Sequence, residues 1–153
     1  MALLALIPVA QAASTGAITL SGTVGVSCNI TVAPQGPYNA LDLTTSQTTL
    51  NVATVTEQCT DPKGYRVTLT SANGKTDGLL AGATAGNSDT VSYTIFYGGA
   101  AVHLANSNAT VTNANSKTTG GGAINSLAIT YTGASTLSAD TYSDTLTFTI
   151  TGK

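Results

Sequence analysis

Charge is the scarcest resource in this chain: Asp, Glu, Lys and Arg together make up 8% of its 153 residues, against roughly 25% in ordinary soluble domains. The five basic residues, Lys63, Arg66, Lys75, Lys117 and Lys153, are scattered along the sequence, and the net charge is -2. Nucleic acids and anionic membrane surfaces both call for clustered Lys and Arg, so neither is expected as a partner. Tryptophan is absent, histidine occurs once as His103, and cysteine occurs only as Cys28 and Cys59. A metal centre or a reactive thiol would therefore lack companions, and neither cysteine has a C-x-x-C neighbour. A Ser-His-acid arrangement would have to use His103, which sits between Val102 and Leu104, and there is no G-x-S-x-G elbow. Asp140 and Asp144 are close in sequence, but at a loop and a strand start, where solvated acids are common, rather than in an acid/base pair. P-loop, dinucleotide and EF-hand motifs are missing. The expectation is a protein that is not an enzyme and needs no cofactor or metal. No stretch of eighteen apolar residues occurs, so no membrane insertion is expected. Helical periodicity of useful length is also lacking.

What remains is rich in Thr, Ser and Asn, with 16 glycines, a composition suited to an extracellular β protein. The length accommodates one domain with a single core. Its most informative stretch is 17–32, A-I-T-L-S-G-T-V-G-V-S-C-N-I-T-V, in which every even position from Ile18 to Val32 is apolar or small. That period of two puts one apolar face against a core. At roughly 3.3 Å per residue the run would extend about 50 Å, whereas strands usually hold about 5 to 6 residues. One end is therefore expected to lie beyond the domain to which the other belongs.

Downstream, strands are predicted over 50–59, with a bulge between Val52 and Val55, over 65–70, at Leu79–Leu80, over 90–97, at 102–104, over 124–132 and over 142–151. Residues 38–46 read as an irregular connection, and 105–122, dense in Asn, Ser, Thr and Gly, as a surface loop. Seven or so short strands separated by turn signals predict an all-β sandwich of the immunoglobulin type. Tyr93, Tyr97, Tyr131 and Tyr142 fall on these strands, where packing is the expected role and sugar stacking the alternative.

Residues 2–10, an apolar run, lead into Ala10-Gln11-Ala12, which predicts a secretory signal peptide over 1–12. The basic n-region is missing, so the natural start of the signal is expected upstream. In an exported chain the even pair Cys28 and Cys59 reads as one disulfide, and closing a loop of about thirty residues stabilises the fold by roughly 3 kcal/mol.

Taken in order, the alternating segment leading into Cys28, the strand T-V-T-E-Q-C, the turn followed by Y-R-V-T-L-T, the later S-Y-T-I-F-Y and the final Y-S-D-T-L-T-F-T-I resemble the spore coat U domain. That family includes pilins of archaic chaperone–usher pili. The resemblance implies an incomplete immunoglobulin-like sandwich that lacks its last strand and is completed by a donor strand from another subunit. It implies a division into a signal peptide (1–12), a donor-strand extension (13–24) and a pilin domain (25–153). Donor residues would be Ile18, Leu20, Gly22 and Val24; the acceptor groove would be lined by Val26, Ile30, Leu146, Phe148 and Ile150, with Cys28 and Cys59 stapling one side. The implied partners are identical or related pilin subunits, a periplasmic chaperone and an outer-membrane usher, and the implied destination is an extracellular pilus serving adhesion and biofilm formation. Two other readings use the same residues: a self-complemented secreted or spore-coat structural protein, and a monomeric carbohydrate-binding module.

Overall fold

The computed structural model describes residues 14–153, so the expected signal peptide lies outside the described residues. Ten strands follow in chain order: β1 Cys28–Pro34, β2 Gln47–Cys59, β3 Tyr65–Ser71, β4 Gly78–Gly82, β5 Thr90–Tyr97, β6 Ala100–Val102, β7 Asn108–Ala114, β8 Ala123–Tyr131, β9 Tyr142–Ser143 and β10 Leu146–Gly152. They form a seven-stranded sheet in the order β1-β2-β8-β5-β4-β9, with β6 also on β5, and a three-stranded sheet β10-β3-β7. All named pairings are antiparallel.

The two sheets exist because alternate residues are apolar. In β3, Tyr65, Val67 and Leu69 are buried while Arg66 is exposed and Thr68 and Thr70 are half-buried; in β5, Val91, Tyr93, Ile95 and Tyr97 face inward. Leu69 and the four β5 residues join Val55, Leu80, Leu127 and Ile129 in the main core, while Tyr65 and Val67 form a smaller cluster with Cys59. At the reversal from β2 to β3, Gly64 adopts φ 97° and lies so close to Ala114 that a Cβ would fall 2.1 Å from its carbonyl oxygen. The architecture is an all-β, immunoglobulin-like sandwich that is incomplete: β1 pairs only with β2, β10 pairs only with β3, and no ladder joins β1 to β10.

Two strand expectations need correction, and a third holds with a small shift. Residues 105–122 are not one loop, because β7 lies within them and pairs with β3 across a register shift at Val67/Thr68. Its Asn and Thr side chains mask the signal, since an edge strand needs only the half-buried Ala109, Val111 and Ala114 to hold it on the sheet. The last strand, expected over 142–151, is split: β9 belongs to the large sheet and β10 to the small one. The expected bulge in β2 is present, with register shifts towards β8 at Gln47/Leu50 and Asn51/Ala53, somewhat earlier than anticipated.

Asp144 occupies the switch between β9 and β10 and is not a solvated acid. Its carboxylate accepts hydrogen bonds from Ser71 Oγ at 2.6 Å, the Tyr93 hydroxyl at 2.7 Å, and the backbone N–H groups of Asn73, Leu79 and Thr145. Gly78 makes this possible, since a Cβ there would fall 2.1 Å from the Tyr93 ring. Asp140 is likewise engaged, accepting from Thr84, Asn87 and Thr141. The Asn87 amide, with the backbone and hydroxyl of Thr84, brings its carboxyl down to about 2.

Candidate functional site

Between β1 and β10 no ladder closes the sandwich, although some of their Cα atoms lie within 8 Å of each other. The unpaired edge of each strand borders a cleft whose floor is the large sheet. At the end formed by Val32, Pro34 and Leu146 an apolar cavity of about 190 Å³ opens, lined also by Leu41, Val52, Leu80, Leu127 and Ile129, with Asp144 at its rim. An apolar cavity of roughly 150 Å³ holds a benzene-sized group, so this one has room for a large aliphatic side chain. Towards the other end the cleft narrows: Ile30, Phe148 and Ile150 pack, half-buried, against the cluster of Cys59, Tyr65 and Val67. The Cys28–Cys59 disulfide is formed there, directly opposite in the β1–β2 register. Ser27 prolongs that ladder, donating its N–H to Thr60 Oγ1 and accepting from the Thr60 N–H, each at 2.8 Å.

The wall carrying β10 is held to the rest of the core by an unusual group. Glu57 on β2 is fully buried and accepts hydrogen bonds from the hydroxyls of Tyr65 at 3.0 Å, Thr112 at 2.7 Å and Tyr97. These donors come from β3, β7 and β5, so one carboxylate ties both sheets together. Burial first, and the adjacent Glu57 carboxylate second, push the Tyr65 phenol up to about 12 and raise that of Tyr97 as well. The sequence reading missed Glu57; its only signal was an acid at an inward-facing position of an alternating strand.

The structure packs Ile30, Leu146, Phe148 and Ile150, half-buried, against the core, with Leu146 also lining the cavity. It does not bring Val26 there: β1 begins at Cys28, and Val26 is 61% exposed in the segment before it. Residues 14–27 belong to no strand. Ile18, Leu20 and Val24 are 85%, 86% and 91% exposed, and no atom lies within 4 Å of a Cβ placed on Gly22. Among the tyrosines considered for sugar stacking, Tyr93, Tyr97 and Tyr131 are core residues. His103 is exposed, its Nδ1 3.7 Å from Asp77 Oδ1. Among the described residues no group of three His, Cys, Asp or Glu side chains could hold a metal ion, and no helix is long and apolar enough to cross a membrane.

No protein-family model matches this chain. No curated protein matches it either. Among solved structures, HdaB, the minor tip subunit of the E. coli Hda pilus, aligns with 80% of this chain and 79% of that one, at 15% identity and a TM-score of 0.39.

Proposed function

We propose that this chain is a structural subunit of a chaperone–usher surface pilus, built by passing the extension of one copy into the cleft of the next. The observation that carries this reading is the pairing, in one molecule, of a sandwich without a strand between β1 and β10 and an apolar, period-two segment without a sheet. An open apolar edge invites a strand, and strand addition supplies both main-chain hydrogen bonds and alternate side-chain pockets. The lengths agree: β1 and β10 are each 7 residues long, as is the run from Ile18 to Val24.

Ile18, Leu20 and Val24 are the donor side chains, each contributing roughly 1.5 to 3 kcal/mol on burial, and Gly22 fits where the cleft narrows. Ile30, Leu146, Phe148 and Ile150 receive them. The domain boundary follows β1, with the donor extension ahead of Cys28 and the pilin domain after it. Some Cα atoms of β1 and β10 lie within 8 Å of each other, whereas a strand hydrogen-bonded to both needs about 9.6 Å between them. Insertion therefore parts the walls. Before assembly a periplasmic chaperone covers the cleft, and an outer-membrane usher exchanges it for the next extension. The product is an extracellular fibre serving adhesion and biofilm formation.

The test is expression in a periplasm with and without chaperone and usher, followed by size exclusion, SDS gels without boiling, and negative-stain microscopy. The reading expects fibres and SDS-resistant ladders that disappear in Ile18→Asp and Leu20→Asp. A sharp monomer peak formed without a chaperone would instead mean that the extension fills its own cleft.

A further inference from the structure

The charged side chains, dispersed in the sequence, are sorted by the fold between the two ends of the sandwich. Residues 1–13 carry none, so the described residues hold all of them. One end contains the disulfide, the 60–64 turn, the 115–122 loop and residues 152–153, as the pairings Cys28 with Cys59, Tyr65 with Gly152, and Tyr65 with Ala114 require. Lys63, Arg66, Lys117 and Lys153 are all exposed there. The acids of that end are internal: Glu57 is occupied by its three hydroxyl donors, and buried Asp61 accepts from the N–H of Lys63.

The opposite end contains the 35–46 connection and the loops at 72–77, 83–89, 132–141 and 144–145, as the pairings Ser71 with Leu146, Tyr93 with Tyr131, and Gly82 with Tyr142 require. It carries Asp42, Asp77, Asp89, Asp140 and Asp144, against Lys75 alone. Hydrogen bonds from Thr44 to Asp42, from Ser138 to Asp89 and from Asn87 to Asp140 hold these carboxyls below the ordinary range, so they stay ionised at neutral pH. The extension leaves from the basic end, beside Cys28, while the apolar cavity between β1 and β10 lies at the acidic end, beside Asp144.

We propose that the basic end of one copy docks on the acidic end of the next, and that this contact aims the extension at the open mouth of the cleft. The proposal rests on the donor-strand reading above and adds the surface that selects the partner's orientation. Like ends repel, and the contact of unlike ends is heterologous, so it repeats along an open fibre rather than closing into a dimer. It also sets the direction of the inserted strand. Residues near Ser27 stay at the mouth and Ile18 lies deepest, so the donor runs parallel to β1 and antiparallel to β10. Attraction between exposed charges acts over about 8 Å at physiological ionic strength, so the docking is salt-sensitive.

The experiment follows association of the full chain by light scattering between about 20 mM and about 500 mM NaCl, with SDS resistance read separately as a report of strand insertion. Lys63→Glu, Arg66→Glu and Lys117→Glu together reverse the basic end, and Asp42→Lys, Asp77→Lys and Asp89→Lys together reverse the acidic end; melting curves show that each is folded. At low salt each reversed chain is expected to associate about tenfold more slowly or worse, a mixture of the two to recover the original rate, and the differences to vanish at high salt. Reversed chains that associate at the original rate and form SDS-resistant oligomers overturn the docking and leave the donor reading intact. Charge-dependent association with no SDS-resistant product upholds the docking and removes the donor reading. Absence of association at every salt concentration overturns both.

Discussion

The ring centroids of Tyr97 and Phe148 lie 5.6 Å apart, joining β5 of the large sheet to β10 of the small one, and the Tyr97 hydroxyl is held by Glu57. A wall of the cleft is thus positioned through an aromatic contact whose other side is anchored on a buried carboxylate. Removing that carboxylate strands two buried phenol hydroxyls, each costing roughly 1 to 3 kcal/mol, and the half-buried hydroxyl of Thr112. Glu57→Ala is expected to lose at least about 3 kcal/mol in urea unfolding, and Glu57→Gln, which keeps one acceptor oxygen, distinctly less. An alanine variant within about 1 kcal/mol of the parent would show that the carboxylate does not tie the sheets together.

Asp144 directs the chain from one sheet to the other. Without its carboxylate, Ser71, Tyr93 and the N–H groups of Asn73, Leu79 and Thr145 lose an acceptor. In Asp144→Ala, hydrogen exchange of the β10 amides should accelerate much more than that of β8, because β10 is held by a ladder on one side only. Equal acceleration in both strands would mean a global loss of stability rather than a local release.

Leu146 and Phe148 lie on the β10 wall. On the proposed donor-strand reading, Leu146→Asp or Phe148→Asp would place a carboxylate where an apolar strand enters, and the yield of a chaperone complex is expected to fall sharply. Normal recovery of complex from either variant would remove β10 from the acceptor site.

Tyr65, Tyr93 and Tyr97 are buried and their phenols are raised, that of Tyr65 to about 12. A group with a raised folded-state pKa stabilises the fold fully below its unfolded value, near 10, and that contribution is lost as pH rises through the folded value. Ultraviolet titration should therefore show delayed ionisation of these three, and of Tyr131, whose phenol is also raised by burial, among the 6 tyrosines, with stability falling from about pH 10 to about pH 12. Ionisation of all six near pH 10 in the folded chain would contradict the burial of these phenols.

The disulfide holds the β1 wall at its narrow end and closes a sequence separation of 31. Cys28→Ser with Cys59→Ser is expected to cost roughly 3 kcal/mol, seen as a lower melting temperature under oxidising conditions. An unchanged melting temperature would mean that the Ser27–Thr60 bonds already secure this end.

Much of the molecule was legible because strand facing is a local property. The alternation from Ile18 to Val32 announces one continuous apolar face, and the positions of Tyr65, Val67 and Leu69, or of Val91, Tyr93, Ile95 and Tyr97, show which side chains meet the core. The excess length of the first run implies that part of it lies outside the domain; in the fold, Ile18, Leu20 and Val24 are exposed. Other features depend on which distant segments become neighbours, which period-two patterning does not encode. The polar β7 is a strand because β3 offers it a ladder. The break at Asp144 arises because β4 captures Tyr142 and Ser143 while β3 captures the residues after it. Glu57 can be buried only because three hydroxyls from three strands converge on it. The same holds for charge. Lys63, Arg66, Lys117 and Lys153 are far apart in sequence, and only the antiparallel return of β2, β7 and β10 to one end of the sandwich gathers them opposite the aspartates.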